Sequence, residues 1–203
     1  MPRTSKSSAR SAPRAKKPAA LRSLLAIGRH PLDKGRACEA AELVAKQPRR
    51  LAVLIECLWD EDAGVANRAA DALERATAGR EPRLDPLRLE SWKDALLGLL
   101  AEAKPNKLRW NLALTIPRIR LTVLEARRAA EALRGYLDDR SSIVKTAAMH
   151  GLAGLTRHDP SLLPEVLDTL RILSRSGTPA MRARGRILLK RLERTPQIPA
   201  YHA

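Results

Sequence analysis

Residues 65–73 read Val-Ala-Asn-Arg-Ala-Ala-Asp-Ala-Leu. Their spacing is an apolar anchor at Val65, a small residue at Ala69, and an apolar pair at Ala72 and Leu73. The same spacing returns at Leu108, Leu112, Thr115 and Ile116, then at Val144, Ala148, Gly151 and Leu152, and again at Met181, Gly185, Leu188 and Leu189. A weaker copy starts at Ala37 with Ala41, Val44 and Ala45. On a helix these positions share one stripe about 100° wide. The small residues allow a second helix to approach closely. The anchors lie 28, 43, 36 and 37 residues apart, which is the period of a two-helix unit.

Each copy follows another amphipathic run, over residues 21–29, 49–59, 86–103, 123–137 and 161–174. The unit is therefore a helical hairpin repeated about five times. One hairpin cannot bury its apolar stripe alone, and stacking hairpins makes a continuous core. Punctuation agrees. Pro31, Pro48, Pro86, Pro105, Pro160 and Pro179 stand before or inside new apolar runs, where a missing N–H is harmless. Asp85, Asp159 and Thr178 are candidate N-caps, and Thr122 with Glu125 is a capping-box pattern. Gly79 and Gly177 suit C′ positions. No stretch alternates with period two.

The period and the small-residue second helix resemble HEAT repeats, of the armadillo type. Residues 60–65 (Asp-Glu-Asp-Ala-Gly-Val) and 139–145 (Asp-Arg-Ser-Ser-Ile-Val-Lys) carry that resemblance best. In the family a turn Asp pairs with a basic residue six positions on. Asp139 and Lys145 match, Asp60 meets Ala66 instead, and Arg109 and Arg182 hold the basic position without the Asp. The resemblance covers about residues 20–195. It implies an all-α, right-handed α-α superhelix, with the second helices lining its concave face. It implies no one function, because such arrays host many.

Composition supports an all-α chain. Of 203 residues only Trp59, Trp92, Trp110, Tyr136 and Tyr201 are aromatic and Phe is absent, whereas Ala, Leu and Arg are plentiful. No run of about 20 apolar residues exists, so no membrane span is expected. The basic N-terminus lacks an apolar segment behind it, so no secretory signal is expected. Cys38 and Cys57 form no Cys-x-x-Cys, which suits reduced thiols in the cytoplasm. A monomer is expected.

The formal net charge is +16, unevenly placed. Residues 1–20 hold Arg3, Lys6, Arg10, Arg14, Lys16 and Lys17 and no acid. Residues 171–194 hold eight basic residues and one acid, Glu193. Residues 21–170 net only +3. Residues 1–19 read as a disordered basic tail and residues 196–203 as a flexible C-terminal tail. The basic tail is either a polyanion-contacting arm or a solubilising one.

Catalytic chemistry has little to stand on. His30, His150, His158 and His202 are dispersed, and there is no His-Glu-x-x-His, Gly-x-Gly-x-x-Gly or Walker loop. No catalytic residue, metal site or cofactor is expected. Recognition residues are sought on the second helices. One past the anchor stand Ala66, Arg109, Lys145 and Arg182; three past, Arg68, Asn111, Ala147 and Arg184; ten past, Arg75, Arg118, Gly154 and Arg191. Such columns form either a basic stripe or a set of turn-bonding cations. Trp110 and Leu114 point away from the core stripe, and Met149 and His150 would extend that apolar strip. Trp59 and Trp92 read as packing residues.

The expected function is a non-enzymatic binding scaffold that holds a protein partner on its concave face, through Arg109, Trp110, Asn111, Leu114, Lys145, His150 and Arg182. The alternative is nucleic-acid binding through the tail cations and the basic columns. A narrower form of it, a HEAT-like DNA glycosylase, lacks an Asp or Glu on the helix between Pro105 and Ile116.

Overall fold

The computed structural model describes residues 19–79 and 81–194. Apart from Ala19, the basic tail expected over residues 1–19 lies outside the described residues, as does the tail expected over 196–203. Ten α-helices and no strand occur among the described residues. They pair as five hairpins: α1 (Ala19–Ala26) with α2 (Ala37–Lys46), α3 (Leu51–Glu56) with α4 (Ala63–Thr77), α5 (Lys93–Glu102) with α6 (Asn106–Thr115), α7 (Val123–Tyr136) with α8 (Ser142–Leu155), and α9 (Leu163–Ser176) with α10 (Pro179–Arg194). Short 3₁₀ turns extend several of them, at Pro48–Arg50, Cys57–Trp59, Pro86–Trp92, Ile116–Arg118 and Pro160–Leu162.

Helix starts follow local chemistry. The Asp85 carboxylate accepts from the Leu87 N–H and that of Asp159 from the Ser161 N–H, each ahead of a proline. Thr122 and Glu125 close a full capping box on α7. Asp62, unflagged by the proline pattern, caps α4 through the Gly64 and Val65 N–H groups. Gly79 has φ +93°, as a left-handed C′ residue should. Gly177 departs from that expectation. Its backbone is extended, with φ −73° and ψ 178°. Space explains the glycine there: a Cβ would stand 2.5 Å from the Leu173 carbonyl oxygen and 2.8 Å from Met181 Cβ.

The repeated stripe is the core. Ala37, Val65, Leu108, Val144 and Met181 are all buried, and so are Ala41, Ala69, Leu112 and Ala148 four residues on. Helices α2, α4, α6, α8 and α10 each pack on the next, whereas among first helices the main contacts are α1 with α3 and α5 with α7. The row with the closer succession is the inner row of a curved stack. Gly151 shows how close it is, since a Cβ there would lie 2.6 Å from the Ala113 carbonyl oxygen.

A ladder of ion pairs joins hairpin to hairpin. Arg22 meets Asp60 at 2.6 Å, Lys93 meets Glu125 at 3.0 Å, Arg127 meets Asp159 at 2.7 Å and Arg134 meets Glu165 at 2.6 Å. Asp139 belongs to this ladder: its partner is Arg109 of the preceding hairpin, not Lys145. The turn aspartate thus stitches successive repeats through one oxygen while the other accepts from the Ser141 N–H of its own turn. Other expectations shift too. Trp59 is 49% exposed, so it is not a core residue. Met149 is fully buried and extends no surface strip. Cys38 and Cys57 are both free thiols, Cys57 buried and its pKa pushed up to about 11 by that burial. No described helix is long and apolar enough to cross a membrane.

Candidate functional site

Two of the cations one residue past an anchor, Arg109 and Arg182, serve the turns. Arg109 donates to the Asp139 carboxylate and lies over the Tyr136 ring, 4.1 Å from its centroid. The Tyr136 hydroxyl donates to the Leu100 carbonyl, so ring, guanidinium and carboxylate brace the α5–α8 corner together. Arg182 donates to the Gly177 carbonyl at 2.8 Å. Lys145 is half-buried on α8. Asn111 is 3% exposed, and its amide donates to the Lys107 carbonyl at 2.9 Å. Arg109, Asn111 and Arg182 therefore build the wall and present no open basic stripe.

The N-terminal half of the inner face is covered. The loop over residues 27–36 lies across α4 and α6, and buried side chains beneath take its carbonyls. Arg68, 3% exposed, donates to the carbonyls of Leu25 and His30 and to Asp33. The Asn67 amide reaches the Pro31 carbonyl at 3.3 Å, and Lys107 Nζ reaches that of Asp33 at 2.8 Å. Lys107 also sits 3.4 Å from the Asp71 carboxylate. Backbone oxygens facing a buried row would otherwise be costly, and these three side chains satisfy them. Sequence reading missed Lys107 and Asn67, for backbone acceptors leave no trace in side-chain periodicity.

The inner face beyond the loop belongs to α6, α8 and α10. Leu114, His150 and Ile187 occupy one column, each six residues past its anchor. Leu114 packs partly on the core, as does Trp110 one turn before it. Ile187 is 60% exposed. His150 is half-buried, and its imidazole is held down to about 4, first by burial and then by the positive charges of Arg191, Arg184 and Arg118. Arg157 joins the group. Its guanidinium donates to the Pro117 carbonyl beside Arg118, and burial with the charges of Arg118 and Arg191 sets it below the usual arginine range. Gly154 lets this corner close, since a Cβ there would be 2.8 Å from Pro117 Cβ. The carboxylate at its margin is Glu74, 2.6 Å from Arg118. On α4 the matching positions hold Asp71 and Arg75, paired with each other at 2.6 Å.

Among the described residues no three His, Cys, Asp or Glu side chains converge as a metal site would require. The arrangement offers binding chemistry: apolar contact at Leu114, Trp110 and Ile187, and positive charge around His150.

Neither a protein-family model nor a curated relative matches the chain. Solved structures do. A designed armadillo repeat protein is 19% identical with a TM-score of 0.54, over 85% of this chain and 80% of that one. Two engineered proteins from a structural genomics consortium give TM-scores of 0.57 at 20% identity and 0.56 at 16%. They cover 85% and 86% of this chain, and 79% and 80% of their own. The fold is an armadillo- or HEAT-like all-α solenoid, as the sequence resemblance implied.

Proposed function

We propose that this protein is a non-enzymatic scaffold that holds a segment of a partner protein along the inner face of α6, α8 and α10. The observation that carries the reading is the in-register column of Leu114, His150 and Ile187, with Trp110 beside it. Stacked helices present equivalent positions at regular intervals, and an extended segment can follow such a row. An exposed isoleucine in a cationic surround marks a contact surface rather than a core. Trp110, Leu114 and His150 are the contact residues of this reading, with Lys145 at its edge. Arg109, Asn111 and Arg182 act from behind by fixing the wall.

Nucleic-acid binding is the weaker reading. Much of the cationic charge of the folded part is already matched to carboxylates, and the α4 end of the inner face carries Asp71 and Glu74. Its remaining support is the cation-rich C-terminal helix α10 and the row Arg3, Lys6, Arg10, Arg14, Lys16 and Lys17, the latter outside the described residues.

The test compares Leu114→Asp on the inner face with Leu124→Asp on α7, where the side chain is 70% exposed. The scaffold reading expects partner capture by the full chain to fall with the first variant alone, with helicity intact in both. Equal capture by the two contradicts it. A salt titration of duplex DNA addresses the alternative. A duplex binder shows log K falling by about 0.9 per log unit of salt for each phosphate contacted. The scaffold reading expects no duplex binding near 0.1 M salt, within the ordinary screening range.

A further inference from the structure

The loop over residues 27–36 joins α1 to α2 and is fastened to the inner face without an apolar anchor. Nine of its ten residues are exposed, and Asp33 is half-buried. Its apolar side chains, Ile27 and Leu32, are each at least half exposed. The ends of the loop meet: at Gly35, where φ is +43°, a Cβ would run into the Ile27 carbonyl oxygen. Its shape is set from within. The Asp33 carboxylate accepts from the Arg29 N–H at 2.6 Å and from the His30 N–H at 3.2 Å, and the Asp33 N–H donates to the His30 carbonyl at 3.0 Å. A compact loop with adjacent ends can swing as one body and keep these bonds.

The floor beneath is polar. Asn67 and Arg68 of α4 and Lys107 of α6 are buried there, with Asp71 beside Lys107. Asn67 donates to the Pro31 carbonyl at 3.3 Å. Arg68 donates to the His30 carbonyl at 3.3 Å and to the Asp33 carboxylate at 3.1 Å. Lys107 donates to the carbonyls of Leu32 and Asp33 at 3.4 and 2.8 Å. When the loop lifts, water takes over these bonds and no apolar anchor leaves the core, so opening costs far less than global unfolding. Arg68 keeps the Leu25 carbonyl at the end of α1, and Lys107 keeps Asp71, so both stay in place. The fit of the loop is also incomplete. Asn67 Oδ1 is buried without a hydrogen-bond partner, and the residue held by the same amide is Pro31, which has no N–H to give.

We propose that residues 27–36 are a displaceable lid, and that the floor it covers is a second recognition site, for a polypeptide turn that offers backbone carbonyls, an N–H and one carboxylate. The lid presents the carbonyls and the carboxylate itself and fills the floor in the resting chain. An occupant with a residue other than proline at the place of Pro31 adds the bond to Asn67 Oδ1 that the lid leaves unmade. Lifting the lid extends the open inner face from α6 back to α4. The inference goes beyond the scaffold reading, and its test uses no partner protein, so its failure leaves the Leu114→Asp comparison standing.

The experiment has two arms. In the first, Asn67→Cys places a thiol under the lid of the full chain, with Cys38→Ser removing the exposed thiol. Buried Cys57 is the internal clock for opening of the core. A small aromatic disulfide reagent should label the introduced thiol about tenfold or more faster than Cys57. Adding Asp33→Ala, which removes the link to Arg68, should speed that labelling about tenfold again and leave Cys57 unchanged. Equal labelling of the two thiols, or no response to Asp33→Ala, overturns the lid. In the second arm a Gly-Ser linker replaces residues 28–35, and the probe is a synthetic peptide of residues 27–36. Up to about 1 mM peptide should shift the Asn67 side-chain amide resonances of the linker variant and not those of the wild type, where the tethered lid competes at a similar effective concentration. Asp33→Ala in the peptide should weaken binding about tenfold. A folded linker variant that leaves the Asn67 resonances unmoved overturns the recognition site, and equal binding of the two peptides overturns the carboxylate. A linker variant without the helical circular dichroism of the wild type makes the loop part of the fold and overturns the lid.

Discussion

His150 is neutral in the folded protein well below the pH at which a free imidazole takes a proton. Its folded midpoint is about 4, against roughly 6.5 in the unfolded chain. Between those values the unfolded chain binds a proton that the folded one refuses. Stability contributed by the neutral ring is therefore full above about pH 6.5 and is lost as pH falls toward 4. His150→Gln should shrink the drop in Tm between pH 7 and pH 5. An unchanged drop would show that neither burial nor the charges of Arg191, Arg184 and Arg118 hold the ring's midpoint down. The Arg109–Asp139 pair makes a second residue-scale prediction. Asp139 is 5% exposed and also accepts from the Ser141 N–H at 2.6 Å. Asp139→Asn leaves Arg109 without its counter-charge over the Tyr136 ring, and should cost about 2 kcal/mol in urea unfolding. Glu39→Gln, at the exposed Arg36–Glu39 pair, should cost under about 0.5 kcal/mol. Equal losses would mean that burial of the ladder does not matter. From sequence the Asp139–Lys145 spacing was visible, but spacing within a repeat does not say which neighbour's side chain crosses over.

At the scale of elements, glycines separate helix propensity from packing. Gly98 in α5 has open space where a Cβ would sit, so Gly98→Ala should stabilise by up to about 1 kcal/mol. Gly151 in α8 faces the Ala113 carbonyl oxygen and Leu133 Cδ1, each 2.6 Å from a built Cβ. Gly151→Ala should destabilise by about 1–3 kcal/mol in thermal or urea unfolding, because overpacking outweighs propensity. A stabilised Gly151→Ala would show that α6 and α8 are not so close. The elements themselves were legible in sequence. All five anchor residues are buried, and the hairpin runs agree with the helices to within a few residues, because burial imposes the same small-residue spacing each time. Trp59 and Met149 were misplaced for a common reason. Helical periodicity sets direction around an axis, but whether a neighbouring helix covers that direction depends on the stack. Trp59 lies at the end of its 3₁₀ turn with half its surface open, and Met149 meets α10 at Gly185.

For the whole molecule, the charge of +16 is misleading as a single figure. The folded middle spends its cations on the inter-repeat ladder and on loop carbonyls. The columns of arginines were legible as columns, yet Arg68, Arg75, Arg109 and Arg182 turn out to be bonded within the protein. What distinguishes the corner at His150 is position. It lies past the loop that covers α4, and α10 adds cations there with one acid, Glu193, turned toward Arg171. Nothing in a linear pattern reveals that covering loop. Its effect is to restrict the open inner face to α6, α8 and α10. The central claim is that a protein partner lies on that face, and hydrogen–deuterium exchange of the full chain with and without the captured partner tests it most directly. The account predicts slowed exchange in residues 106–118, 142–157 and 179–194, with α5, α7 and α9 unchanged. Protection confined to α5, α7 and α9, with the inner helices unaffected, would contradict it.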